Sequence, residues 1–564
     1  MKTKLVIVFV SISLIFMVFM NTNLIDKKLD YSAKAAMSVV KCSSTNFLLE
    51  GVDTTRQISP LFENLGNYNY EISTDSENAQ TFFNQGLNLT YAFNHAEAHR
   101  SFMESSRLDQ NSAMTFWGQA YVLGPNINDQ IPDTERRIKS YEAVQKAKKR
   151  ASKSTPKEQA LIEALTYRYS RDTLTDISEM NLEYMNEMAK VAKKYPQDAD
   201  VLTLYAASVM NTVPWDYWDI DGNPSPNIKE AKLALENAIK INPKHAGANH
   251  YYIHMVELPK PELGVASAER LESIMPGAGH LVHMPSHIYM RVGRYDDAVR
   301  VNQDAILVDE DYISQCYSQG MYPLGYYPHN IHFLWSAASM SGNSEIAIDA
   351  AKKTAEKIPI GELKELPFLQ IFAVTPLLAY TRFGKWNEIL TIPDPGNEYT
   401  HLKLFWNYAR GIAFVRKNNL KEAVEELEFI ESRDKSLNEE KLAKVAYEVL
   451  AGEIEALKGN LTLSAEHFEK ALNYEDELPY NEPAEWYIPT RQSYGAMLLK
   501  AKKYKRAEEV FRSDLSYYPN NGWSLMGLYQ SLIGLDKTEE AKKVKEQFEI
   551  AWRNSDIEIN SSVL

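Results

Sequence analysis

The chain has almost no cysteine: Cys42 and Cys316 are the only two in 564 residues. That excludes a disulfide framework and any Cys-rich zinc or iron–sulfur site. Nothing in the spacing favours even a single Cys42–Cys316 bridge. A basic surplus is missing too. Lys and Arg number 61 against 75 Asp and Glu, a net charge of −14, which is the wrong sign for gripping a phosphate backbone. Nucleic acid is therefore not expected as a partner. The chain also lacks a Walker loop, a Rossmann glycine pattern and a Ser-His-Asp order, which disfavours the classes built on them. Beyond one run near the N-terminus, no segment is apolar for long enough to cross a membrane.

That run is "LVIVFVSISLIFMVFM", Leu5 to Met20, preceded by Lys2 and Lys4. A basic start and a short apolar stretch read as a secretory signal, either cleaved or kept as a signal anchor. The small-x-small pattern at Ala33 to Ala35 is a distant cleavage candidate, and Cys42 makes a poor lipobox. The expectation is export to the periplasm or cell envelope, with a membrane tether only through this segment.

What the sequence does have is a repeat. Ala507, Phe511 and Pro519 stand at intervals of four and eight in "RAEEVFRSDLSYYP", and Ala541 follows Ala507 by 34 residues. The same grammar recurs at Ala98 and Phe102, at Ala231, Leu235, Ala238 and Pro243, and at Gly293, Tyr295, Ala298 and Ala305. Small residues let two antiparallel helices pack closely, a Gly or Asn turn joins them, and Pro ends the pair. Each pair buries its apolar face only by stacking on the next. This resembles the tetratricopeptide repeat (TPR), and the expected fold class is all-α, a TPR-type α-solenoid. The expected organisation is 1–35 as signal peptide or signal anchor and 36–78 as an N-terminal capping segment. A repeat array with a histidine-rich concave groove would cover 79–345, and a C-terminal repeat array 346–564. Two long aromatic loops, 211–227 and 317–330, fall outside the grammar and read as ordered and functional.

Histidine is sparse but concentrated. Of 12 in the chain, seven lie between 250 and 332: His250, His254, His280, His283, His287, His329 and His332. Spacings of three, four and seven put side chains on one helix face, about 5–6 Å apart, and packed neighbouring helices lie about 8–10 Å apart. Histidines of successive hairpins can therefore converge. Neutral imidazole is a favoured ligand of copper and zinc, so all seven are candidate metal ligands, sufficient for two sites. Pro285 either kinks the helix among them or starts it, and both versions keep His280, His283 and His287 together. Glu257 is a candidate catalytic base, a candidate ligand, or a partner that hydrogen-bonds a ligand from behind. Met255, Met284 and Met290 lean slightly toward copper. Asp216, Tyr217 and Trp218 could close over the groove. His95 and His99 read as structural or surface residues, and His245, His401 and His467 as incidental.

Several stretches, "FFNQGLNLTYAFNHAEAHRSF", "GANHYYIHMVE", "PGAGHLVHMPSHIYMRVGRY" and "YYPHNIHFLWSAASMSG", resemble an uncharacterised family of bacterial TPR proteins with His-rich motifs. The resemblance implies that these histidines line the concave groove and belong together as one unit. Relatives often carry a cysteine pair where Ser112 and Thr115 stand here, so no thiol role carries over. The expected function is an exported solenoid binding copper or zinc through the histidine cluster, open to use as a metal-dependent oxidase or hydrolase. Its partner would be a small molecule or peptide in the groove. The alternative is a metal-free TPR scaffold for a peptide or protein, favoured by the usual employment of repeat folds.

Overall fold

A computed structural model describes residues 55–219, 222–315, 322–358, 360–432 and 440–564. The signal segment, Cys42 and Cys316 lie outside the described residues, as do the first part of the expected capping segment and the start of the 317–330 loop. Helices follow one another as antiparallel hairpins from Glu77–Tyr91 and His95–Leu108 to Gly522–Gly534 and Thr538–Ala551, and no strand occurs among the described residues. None of the described helices is long and apolar enough to cross a membrane.

The repeat residues do the packing their types predict. Ala98, Ala298 and Ala507 are fully buried. Phe102 sits where a Cβ on Gly86 or Gly118 would come within 2.8 or 2.4 Å of its ring, and Phe511 stands likewise between Gly495 and Gly527, at 2.3 and 2.2 Å. One aromatic ring on a second helix thus presses into the bare backbone of both flanking first helices, near either end of the array. Hairpin turns use left-handed residues at the helix end, Gly293 (φ 76), Gly342 (φ 78), Asn418 (φ 59) and Gly459 (φ 84) among them, where a side chain is disfavoured.

The solenoid curls tightly enough to meet itself. After four hairpins the Ala246–Val256 helix returns to pack on Glu77–Tyr91, where the Tyr91 ring lies against Gly247. Further on, Trp523 Nε1 donates to Ser339 O at 3.0 Å, and the backbone of Ser344 and Glu345 donates to Asp556. The C-terminal hairpins therefore wrap back onto the histidine-bearing ones. The expected boundary at 345/346 falls inside the Ser344–Glu356 helix, and the boundary at 78/79 just inside Glu77–Tyr91. Residues 55–76 run along the first hairpin, held by Ile58 N to Glu104 Oε2 (2.9 Å) and Phe62 N to Gln85 Oε1 (2.8 Å).

Pro285 does interrupt a helix. Gly279–His283 and Pro285–Val292 are separate segments joined through Met284, whose backbone stays helical (φ −51, ψ −35). The first segment is anchored from behind. His280 N donates to Tyr322 Oη (3.3 Å), Tyr322 Oη donates to Asp309 Oδ1 (2.6 Å), and Asn330 Nδ2 donates to Asp309 Oδ2 (2.7 Å). Gly279 lets this approach happen, because a Cβ there would lie 1.8 Å from Asp309 Oδ1 and 3.1 Å from Ala305 O. Asp309 is fixed by its two donors and cannot step aside cheaply. Gly279→Ala is expected to lower stability by about 1–3 kcal/mol through overpacking, read as a lower urea midpoint; an unchanged midpoint would show that the anchor yields.

Candidate metal centre

Six of the seven candidate histidines come together. Ring centroids run His250–His254 4.9 Å, His254–His287 5.5 Å, His287–His283 4.9 Å, His283–His280 5.9 Å and His280–His250 5.0 Å. These five imidazoles form a closed circuit, and His329 joins it 4.9 Å from His283. Four of the circuit are supplied as i,i+4 pairs, His250/His254 and His283/His287, from helices in successive hairpins. His250, His254, His280, His283 and His287 are all buried.

The nitrogens are sorted by role. His250 Nδ1 meets Tyr91 O at 2.7 Å, His254 Nδ1 meets Glu257 Oε1 at 3.2 Å, and His283 Nδ1 meets Asn302 Oδ1 at 2.6 Å. His287 Nδ1 lies between two carboxylates, Glu257 Oε2 at 2.8 Å and Glu482 Oε2 at 2.9 Å. Each of these partners is an acceptor, so each Nδ1 carries the proton. The Nε2 atoms then face each other in pairs, His250 to His254 at 3.1 Å and His283 to His287 at 3.0 Å. Two bare lone pairs at that distance repel unless a proton or a cation stands between them; between His283 and His287 the proton of the raised His287 fills that place, and an ion would have to displace it. Two donors on one tetrahedral ion, each about 2.0–2.1 Å from it, sit about 3.3 Å apart.

A third imidazole completes each pair. The ligand atoms of His250, His254 and His280 lie within 4.8 Å of one another, as do those of His283, His287 and His329. His280 finds no hydrogen-bond partner at either ring nitrogen although it is buried. Leaving such a group unsatisfied is costly.

Glu257 also forms a group of its own with His254 and His287. Its two oxygens, however, lie against the Nδ1 atoms of those rings, one oxygen to each. Both oxygens thus stand beside ring nitrogens, a place from which Glu257 can orient the two histidines. Burial opposes its ionisation, but His287 and His254 hold it well below the usual carboxylate range. Burial would lower His287, yet Glu257 and Glu482 raise it to about 10. Burial drives His250, His280, His283 and His329 well below their ordinary value, with neighbouring histidines adding to the shift. These four are therefore neutral, the form in which imidazole ligates a metal.

His332 stands apart. It stacks on Trp335 (4.9 Å, 12°) with Phe372 edge-on at 5.4 Å, and belongs to neither triad. On Tyr327–Ser341 it is His329 that turns toward His283, while the position one turn on is taken up by the aromatic wall. His332 still borders the adjoining cavity, which has a volume of about 940 Å³. Met255 and Met284 are part of the apolar core, so they add nothing to the preference for copper.

Several participants escaped sequence reasoning. Glu482 and Tyr480 arrive from the C-terminal half. Tyr480 Oη donates to Glu482 Oε1, and Arg291, which donates to Glu257 O and Leu258 O, lies under the Tyr480 ring. Phe93 touches His250 (4.4 Å) and stacks near His280 (5.4 Å). Trp215, not Asp216, Tyr217 or Trp218, meets His254, edge-on at 5.0 Å. Tyr217 is instead buried, Asp216 is exposed, and Trp218 Nε1 donates to Met255 O. Phe93 (φ 57) and Trp215 (φ 64) are the aromatics among the described residues with left-handed backbone. Such strain on a bulky residue persists where the surroundings impose it, and both press on the histidines. His245, expected to be incidental, caps the Ala246–Val256 helix: its Nδ1 accepts from Ala248 N (3.0 Å) and its Nε2 meets Asp200 Oδ1 (3.1 Å). His95 borders the cavity beside Asn126, and His401 borders it from the far side.

No protein-family model matches the chain, and no curated protein matches it either. Solved structures with some likeness include the yeast Tom70, 13% identical over 84% of this chain and 92% of that one, with a TM-score of 0.30. A human IFIT1 dimer with PPP-AAAA is 12% identical over 85% and 91%, TM-score 0.29. The APC/C hetero-tetramer Cut9–Hcn1 is 13% identical over 85% and 74%, TM-score 0.28. At such scores the hairpins themselves, and not these structures, define the fold.

Proposed function

We propose that this α-solenoid is a transition-metal-binding protein. Its ligands are His250, His254 and His280 in one triad and His283, His287 and His329 in the other, and its ion is copper or zinc. The observation that carries the reading is His280, a buried imidazole with no hydrogen-bond partner, set within ligand distance of two Nε2 atoms that already face each other. A shared proton would settle the facing pair but leaves His280 with nothing to bind. An ion satisfies all three. The all-nitrogen donor set suits copper and zinc better than magnesium, calcium or manganese, which favour oxygen.

Three protein ligands leave a coordination position open, the mark of a site that does chemistry rather than one that only braces the fold. The adjoining cavity, with aromatic side chains from Phe93, Trp215, Tyr326 and Phe368, is large enough for a small organic molecule. This supports metal-dependent oxidase or hydrolase chemistry on such a molecule. Export through the Leu5–Met20 segment belongs to the same proposal. A metal-free peptide groove fits less well, because the histidines lie buried beneath Phe93 and beside the Tyr480–Glu482 segment.

The test is metal content. Protein purified without a histidine tag is expected to contain near-stoichiometric copper or zinc by mass spectrometry, or to take it up on titration after chelation. If it contains none and binds none, the histidines are groove lining and the reading fails.

A further inference from the structure

The two triads share more than proximity, and this step rests on the metal reading above. We infer that they hold their ions as an interacting pair, coupled through the single carboxylate of Glu257. Rings from different triads are almost as close as rings within one. His254–His287 and His280–His283 are 5.5 and 5.9 Å apart, against 4.9 and 5.0 Å for His250–His254 and His250–His280. At those separations rings of the two sets are in direct contact.

Glu257 Oε1 is hydrogen-bonded to Nδ1 of His254, and Glu257 Oε2 lies 2.8 Å from Nδ1 of His287 as an ion pair. Each of those rings presents its opposite nitrogen, Nε2, to its own triad. One carboxylate therefore bears on the tautomer and orientation of one ligand in each site, alone at His254 and together with Glu482 at His287. A carboxylate hydrogen-bonded to a metal-bound histidine fixes the ring and raises its basicity, and losing it typically weakens metal affinity about 10–100-fold. Here a single substitution reaches both sites. The other Nδ1 partners serve one site each: Tyr91 O holds His250, and Asn302 holds His283. The pair adjoins one cavity, so a ligand of that cavity that bridges two metal ions, a small molecule with one or two donor oxygens, is the class the centre would accept.

The experiment uses the full chain stripped of metal and titrated with copper(II), followed by electron paramagnetic resonance and by competition with a calibrated chelator. The expected result is saturation at two copper ions per chain. The signal at saturation should fall well short of two full spins, or show the half-field transition of a coupled pair. E257Q, which keeps the shape but offers one acceptor oxygen, is expected to weaken both sites and change the coupled spectrum. N302A is expected to weaken only one.

Two independent full-intensity signals overturn the inference while leaving metal binding intact. So does saturation at a single ion, or an E257Q effect confined to one site. Failure to take up copper or zinc at all overturns the metal reading with it. Should E257Q not fold, the wild-type spectrum decides alone.

Discussion

Replacing His254 and His283 together by alanine is expected to reduce bound metal from about two ions per chain to almost none, because each triad would keep only two protein ligands where three or four are needed. Each histidine contributes one nitrogen of a facing pair, at 3.1 and 3.0 Å. The fold should survive. Both residues sit within helices whose backbone bonds do not involve the imidazole. What is lost is packing, together with the partners of Glu257 Oε1 and Asn302 Oδ1, at about 1–3 kcal/mol for each acceptor left unsatisfied. Mass spectrometry gives the metal and circular dichroism the helicity. His467→Ala is the control, since His467 pairs with Glu448 at 2.5 Å outside the cluster. A helical double variant that retains stoichiometric metal would rule out these triads as the site.

How much of this was legible in the sequence follows from how local each feature is. The hairpins were readable because the small residues and aromatic rings that lock them recur at fixed spacing, as Ala98, Phe102, Ala507 and Phe511 do. The i,i+4 pairs His250/His254 and His283/His287 were readable for the same reason: helix geometry alone puts them on one face. His332 shows the limit. Its place in the repeat matches that of His250 and His283, yet it stacks on Trp335, since which residues of a face meet a neighbour depends on how the next hairpin leans.

Closure of the superhelix was not legible at all. Glu482 reaches His287 across nearly two hundred residues, and nothing local to "LPYNEP" marks it as part of a histidine centre. The strained aromatics carry a faint signal. Phe93 occupies a hairpin turn where Gly, Asn, Lys or Asp stands in sister repeats, and a bulky aromatic residue in a left-handed turn asks for a reason. The two acidic residues at His287 also change what Glu257 is. Read from the sequence it is a candidate base, ligand or partner of a ligand; in the fold its oxygens lie against two rings.

The histidines also make the fold acid-sensitive. Seven of them, His95, His99, His250, His280, His283, His329 and His332, are lowered from the ordinary 6.5, chiefly by burial, with His95, His99 and His332 held at about 3. The unfolded chain binds protons at 6.5 that the folded chain refuses. Their contribution is therefore fully present above about 6.5 and is lost as pH falls below it, at about 1.4 kcal/mol per pH unit for each group. Buried acids and His287 oppose them. Asp309 and Glu475, both raised to about 7 chiefly by burial, favour the fold increasingly as pH falls from about 7 toward their unfolded values near 4. His287, raised to about 10, gives stability that is present below its unfolded value and lost as pH rises through 10. Seven histidines against six raised acids, Asp309 and Glu475 with Glu97, Glu426, Glu482 and Asp514, leave a net loss between pH 6.5 and 5, where His287 is already charged in the fold and its contribution becomes constant. That loss reduces a typical margin of about 5–15 kcal/mol. Metal-free protein is accordingly expected to show a urea midpoint that falls between pH 7 and 5, well above the range where ordinary carboxylates titrate. A midpoint that stays flat to pH 5 would mean that water reaches these rings and protonates them in the folded state, and a site open in that way would not keep its histidines poised for an ion.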